Sequence, residues 1–367
     1  MRRGIGSGWA GVLAVLTLIG SSAKADDDPT GKSETLTVSV VSSTVPANGD
    51  VNPYGVARIE DTKGNLHAGH ILVSNFNNSA NLQGTGTTIV EISPRGTMSL
   101  FAQIDPGHLP GPCPGGVGLT TALVVLRSGW AVVGSLPTSD GTAATAQAGC
   151  LIVLDSMGNA VETIAGSPIN GPWDMTATET DHHAALFVTN VLNGTVAAGG
   201  AVVKQGTVVR VDLSTSHGMM PQVSSMTVIG DSFSERTDPA ALVIGPTGVG
   251  LSHDGVLYVA DSLNNRIAAI PDAISRQSSA GTGTTVTTGG TLNDPLGLAI
   301  GQQGTIATVN GDDGFLVITR PDGTQVFSKL LDSTGTPPGS GALFGLAFAP
   351  EGLFFVDDAT NTLNVLR

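Results

Sequence analysis

The chain has 367 residues, of which 50 are Gly; 13% are charged, and the formal net charge is −14. Gly at about twice the usual share of roughly 7%, with charged residues at about half of their usual 25% or so, argues against a helical bundle and for a turn-rich β protein. The acidic balance argues against nucleic acid and against an anionic membrane surface, both of which need a basic footprint.

The chain opens with Met1-Arg2-Arg3, an apolar run from Ala10 to Ile19, and Ala23-Lys24-Ala25. A charged start, a short apolar stretch and an A-x-A site predict a signal peptide over 1–25. The run is too short to span a bilayer, which needs about 18 or more apolar residues. An acidic, flexible segment is expected over 26–35. No later segment is long and apolar enough to cross a membrane, so an exported protein, periplasmic or extracellular, is expected.

From residue 36 onward the sequence repeats itself. The openers are Asn52-Pro53-Tyr54-Gly55-Val56-Ala57, Gly171-Pro172-Trp173-Asp174-Met175-Thr176, Gly245-Pro246-Thr247-Gly248-Val249-Gly250, Asp294-Pro295-Leu296-Gly297-Leu298-Ala299 and Ala342-Leu343-Phe344-Gly345-Leu346-Ala347. A degenerate copy, Thr120-Thr121-Ala122-Leu123-Val124, lacks the Pro and Gly. A second apolar strand follows each opener, as in Leu257-Tyr258-Val259-Ala260-Asp261, and then a third. Gly248, Gly297 and Gly345 are 49 and 48 residues apart, close to the roughly 40–50 residues of a four-stranded propeller blade. Longer gaps place insertions at 107–118 and 214–239. The last copy stops after three strands at Asn364-Val365-Leu366, while Leu36-Thr37-Val38-Ser39-Val40-Val41 is a strand without an opener. Complementary incomplete ends predict an all-β, six-bladed β-propeller over 36–367. Its blades are four-stranded and antiparallel, and the N-terminal strand completes the last one.

The run Pro246-Thr247-Gly248-Val249-Gly250, Gly255 to Asp261 and Asn264-Asn265-Arg266-Ile267 resembles an NHL repeat, P-x-G-[VI]-A, G-x-[IL]-[YW]-V-[AST]-D, N-x-R-[IV]. The other copies are looser. The resemblance implies a propeller; NHL-type propellers serve as scaffolds, ligand binders, and lyases or lactone hydrolases, so fold follows from it better than function. The related gluconolactonase-type propellers hold a catalytic metal in the central channel, but their ligand pattern matches no residue set here.

In such a blade the loops before the first strand and after the second share one face, here the top; those after the first and third strands share the bottom. Opener side chains Tyr54, Trp173, Asp174, Thr247, Asp294, Leu296 and Phe344 are candidates to line the channel at the top and hold a small ligand. Plugging of the channel by the same side chains is the competing reading. Asp174 stands where four other copies have Gly and is the candidate catalytic residue. Asn75, Asn190, Asp261, Asn310 and Asp357 end second strands and could ligate a divalent cation such as Ca²⁺. The stronger reading is that they cap turns. His67, His70, His182, His183, His253 and His217 map to the bottom face as exposed turn residues. Cys113 and Cys150, the two cysteines, predict a disulfide in an oxidising compartment.

No phosphate-cradle, nucleophile-elbow or zinc-protease motif occurs. The leading expectation is an exported propeller, monomeric, that binds a small molecule or protein without catalysis. The alternative is a divalent-metal-dependent lactonase or lyase at the top of the channel around Asp174. An oligomeric cell-envelope component is a third.

Overall fold

The structure, a computed structural model, describes residues 36–215, 219–239 and 241–367. The expected signal peptide, the acidic segment and His217 lie outside the described residues. Six antiparallel sheets form, with inner strands Val51–Arg58, Leu119–Val125, Pro172–Glu179, Pro246–Leu251, Pro295–Ile300 and Leu343–Ala349. Each inner strand packs against the next, and the sixth returns to the first, so the sheets form a ring. The fold is the expected six-bladed propeller. No helix of the described residues is long and apolar enough to cross a membrane.

Closure is made by hydrogen bonds across the ends of the chain. Val38–Ser43 pairs antiparallel with Thr362–Leu366, with Val38 opposite Leu366 and Ser43 opposite Thr362. Beyond the strand, Thr37 N donates to Arg367 O at 2.8 Å and Arg367 N donates back to Thr37 O at 3.1 Å. The N-terminal strand thus covers the edge that Thr362–Leu366 would otherwise leave open.

The opener glycines allow the inner strands to approach. A Cβ on Gly297 would lie 1.9 Å from Phe344 O, and one on Gly345 would lie 2.2 Å from Tyr54 O. Both neighbours are backbone atoms of the next blade and cannot swing away. Hydroxyls then bridge blades from the second strands. Ser74 Oγ accepts from Gly55 N at 2.9 Å and donates to Thr120 O at 2.8 Å. Thr189 Oγ1 repeats this, accepting from Asp174 N at 3.0 Å and donating to Thr247 O at 2.8 Å. The fourth blade has Ala260 at this position, and there Ser262 Oγ donates to the next opener, Pro295 O, at 2.6 Å.

The insertion at 214–239 is built mostly of strand. The third blade carries a long hairpin, Val203–Ser214 with Gln222–Asp238, paired from Ser214↔Gln222 to Val203↔Glu235. The chain then turns back as Leu242–Ile244 along Arg236–Asp238, giving this sheet a fifth strand. Cys113 and Cys150 form the expected disulfide, tying the loop before the second blade to that blade's third strand across a sequence separation of 37.

Two outcomes follow. Replacing both cysteines with Ala should lower unfolding free energy by about 3–4 kcal/mol, the loop entropy of a 37-residue cross-link, read as a shift in urea midpoint against the oxidised parent. Removing residues up to 43 should cost cooperativity and leave an aggregating protein, because it bares a full sheet edge. A truncated chain that unfolds at the parent's midpoint would contradict ring closure by this strand.

Candidate functional site

Buried aromatic and aliphatic side chains fill the top end of the channel. Tyr54 stacks on Phe344 at 3.9 Å between ring centroids and on Phe76 at 4.5 Å, and Trp173 lies tilted 6.4 Å from Tyr54. Leu296 joins them, and the fifth strand of the third blade adds Leu242, Val243 and Ile244 from the side. Of the opener candidates, Tyr54, Trp173, Leu296 and Phe344 therefore meet one another in a packed cluster. Thr247 is buried within the blade stack, with its hydroxyl 2.6 Å from Ser262 Oγ. Asp294 sits outside the cluster at φ 52°. Burial, with Asp312 and Asp238 nearby, pushes its carboxyl up to about 7.

The five residues that end second strands stand on five different blades, and each has hydrogen-bond partners of its own. Asp261 is ion-paired to Arg266 at 2.7 Å and accepts from Asn264 Nδ2 at 2.8 Å. Asp357 accepts from Thr360 N at 3.1 Å, and Asn190 from Asn170 N at 3.0 Å. Asn75 donates to Thr44 O at 3.0 Å, and Asn310 to Thr291 O at 2.8 Å. Each braces turns and connections within or beside its own blade.

Below the aromatic cluster the channel widens into a cavity of about 320 Å³ that opens on the bottom face. The first three blades contribute every polar side chain of its lining: Arg58, Glu60, Thr121, Asp174 and Thr176. The last three contribute only apolar residues and glycines, among them Val249, Leu251, Leu298, Ile300, Leu346 and Phe348. Asp174 is 7% exposed. Its carboxylate accepts from its neighbour Met175 N at 2.8 Å and, across the blade boundary, from Val249 N at 3.0 Å. Burial pushes this carboxyl up to about 8, against the pull of those two amides. Burial thus favours the protonated form of this group. Two further polar atoms in the lining are buried without a hydrogen-bond partner, Thr121 Oγ1 and Arg58 Nε. The rest of the Arg58 guanidinium pairs with Glu60 through Nη1 at the rim.

On the bottom face His182, His183 and His253 are exposed, as expected. His67 and His70 are different, because they converge. Gly69, at φ 83°, closes a turn in which His70 N donates to His67 O at 3.1 Å, which sets the two imidazoles side by side. Both Nδ1 atoms reach Glu91 Oε1, at 2.9 Å from His67 and 2.7 Å from His70. Glu91 comes from the third strand of the same blade, opposite Leu72. The sequence signal for this pair was His-x-Gly-His across a tight turn; the partner carboxylate, 21 residues after His70, needed the sheet register.

Four carboxyls held up by burial set a pH dependence. Asp174 and Glu235 are raised to about 8, and Asp294 and Asp358 to about 7. The unfolded chain releases these protons near pH 4, while the folded chain keeps them to pH 7–8. The folded state therefore binds more protons across that window, and stability is lost as pH rises through it. The urea midpoint should be higher at pH 5 than at pH 8. Asp174→Ala should cost about 1–3 kcal/mol at pH 5, through the orphaned Val249 amide. Its deficit should shrink by pH 8.5, where the parent holds a buried charge; parallel pH profiles for the two proteins would contradict the placement of Asp174.

No protein-family model matches the chain, and no curated protein matches it. Solved structures do. A gluconolactonase from Xanthomonas campestris superposes with a TM-score of 0.57 at 14% identity, covering 90% of this chain and 89% of that one. A calcium-binding protein, regucalcin, from Agrobacterium tumefaciens gives 0.53 at 13%, covering 89% and 93%. A streptogramin B lyase gives 0.51 at 14%, covering 90% and 97%. At these identities the likeness shows the six-bladed propeller fold and nothing narrower, and the NHL pattern at 246–267 remains a resemblance.

Proposed function

We propose that the protein is an exported, monomeric propeller that binds a small uncharged molecule in the bottom-face cavity of its channel. The observation that carries this is the division of the lining. Polar side chains, Arg58, Thr121 and Asp174 among them, stand on one side, and an apolar wall stands on the other. About 320 Å³ is at the small end of the range of ligand sites, roughly 300–1,000 Å³. The fitting molecule carries oxygen acceptors along one edge and hydrocarbon along the other. Small lactones and cyclic esters have this form. The aromatic cluster of Tyr54, Trp173 and Phe344 would then act as the floor against which the ligand stops.

A second reading keeps the divalent-metal-dependent lactonase or lyase, with Asp174 as the acid at its centre. Support for it comes from the lactonase and lyases that share the fold, and from the one carboxyl in the depth of the cavity. A panel of uncharged lactones, assayed by calorimetry and for ring opening, separates the two. Binding without turnover, weakened at least about ten-fold by Thr121→Val or Arg58→Met, supports the first. Turnover that requires a stoichiometric divalent ion and is lost in Asp174→Ala supports the second. Binders indifferent to all three substitutions would place the site elsewhere.

A further inference from the structure

We propose that His67, His70 and Glu91 bind one zinc ion on the bottom face of the first blade. They are the one group of three His, Cys, Asp or Glu side chains among the described residues whose donor atoms all lie within 4.8 Å of one another. Two imidazole nitrogens and a carboxylate oxygen are a donor set suited to zinc. They are unsuited to calcium, which takes six to eight oxygens.

The three donors are held before any ion arrives. The turn that carries both histidines is tied to the blade at three points. Ile59 N donates to His70 O at 2.9 Å, Gly69 N donates to Ile59 O at 2.8 Å, and the His67 backbone N donates to Glu91 Oε1 at 3.1 Å. Leu66, next to His67, is fully buried in the core between the first and second blades. Glu91 is itself nearly buried, with its side chain 3% exposed, whereas His67 is 56% exposed and His70 29%. The carboxylate is thus the inner ligand and the imidazoles form the outer wall.

Zinc needs little movement here. Tetrahedral zinc, with bonds of about 2.0–2.1 Å, sets neighbouring ligand atoms about 3.3 Å apart. The present Nδ1–Oε1 separations of 2.9 and 2.7 Å must open by about half an ångström. Each imidazole then keeps its proton at Nε2 and offers Nδ1 to the metal. The ion replaces two hydrogen bonds to Glu91 with two bonds to itself, and it neutralises a carboxylate that the sheet has withdrawn from water. Three protein ligands leave the fourth position on the side of exposed His67, open to water. None of the three ligands lines the channel cavity, so the site is distinct from that of the proposed ligand.

The test is calorimetric titration of zinc chloride into the untagged, chelator-treated full chain. The expected result is one saturable equivalent, unaffected by millimolar calcium. His67→Ala, at an exposed position where Glu91 keeps its bonds to His70 and to the backbone amide of residue 67, should weaken it at least about ten-fold. His70→Ala and Glu91→Gln should do the same. Cobalt(II) in place of zinc should give the intense visible bands of a four-coordinate site. A parent that takes up no saturable equivalent overturns the proposal, as does a His67→Ala protein that binds zinc as tightly as the parent; in either case the trio is a hydrogen-bonded brace only.

Discussion

The hydrogen bonds between Val38–Ser43 and Thr362–Leu366 are the constraint on which the rest of the molecule depends. Without them the sixth sheet would keep a bare edge at Thr362–Leu366, and only packing between the sixth inner strand and the first would close the ring. Joining the ends fixes the number of inner strands around the axis. With six, the openers approach so closely that backbone carbonyls of one blade occupy the space of a side chain on the last. That is why Gly297 and Gly345 are glycines, and why Ser74, Thr189 and Ser262 can bridge from one blade to the next. Asp174, in the position of those glycines, bonds the Val249 amide with its carboxyl. It is a structural bridge and a buried acid at once.

The ring was legible because its parts are periodic. Opener spacing, the second strand that ends in Asn or Asp, and the unpaired strand at 36–41 each have a local pattern, and each pattern has one arrangement that leaves no edge exposed. The disulfide was legible on other grounds, since the chain has two cysteines and the expected export would place them in an oxidising compartment. What was not legible lies in three-dimensional departures from the repeat. The insertion at 214–239 reads as a long polar gap, yet it is a hairpin whose return strand, Leu242–Ile244, helps to fill the top of the channel. The apolar trio just before Gly245 was visible in the sequence, but its destination depends on how far the hairpin overshoots its blade.

Face assignments held where they rested on strand order, and failed to say who meets whom within a face. His67 and His70 map to the bottom, as their position after a first strand requires. Their convergence on Glu91 follows from a turn with Gly69 at positive φ, joined to the register of Leu72 against Glu91. Neither term is a periodicity. Likewise the opener aromatics map to the top of the channel, and a sequence cannot say whether such rings leave a gap or fill it. At centroid separations of 3.9 and 4.5 Å around Tyr54, they fill it.

The regular copies line the cavity with apolar residues and glycines, and the irregular ones bring the polar side chains. In the fourth, fifth and sixth blades, nearest to a uniform repeat, every cavity-facing position is apolar or Gly. In those blades Asp261 braces a turn and Ser262 bridges one blade to the next. The first three blades break the pattern with Arg58, Thr121 and Asp174, and the first also carries the His67–His70–Glu91 group. Because these blades are consecutive, their departures gather in one half of the ring and do not scatter around it. A closed propeller with its polar departures in one sector gives the cavity a polar side and an apolar side, an asymmetry that would orient the proposed ligand as well as hold it. Changing Leu298 or Leu346 to a polar residue should therefore alter which molecules bind, whereas changing Thr121 or Arg58 should alter how tightly they bind.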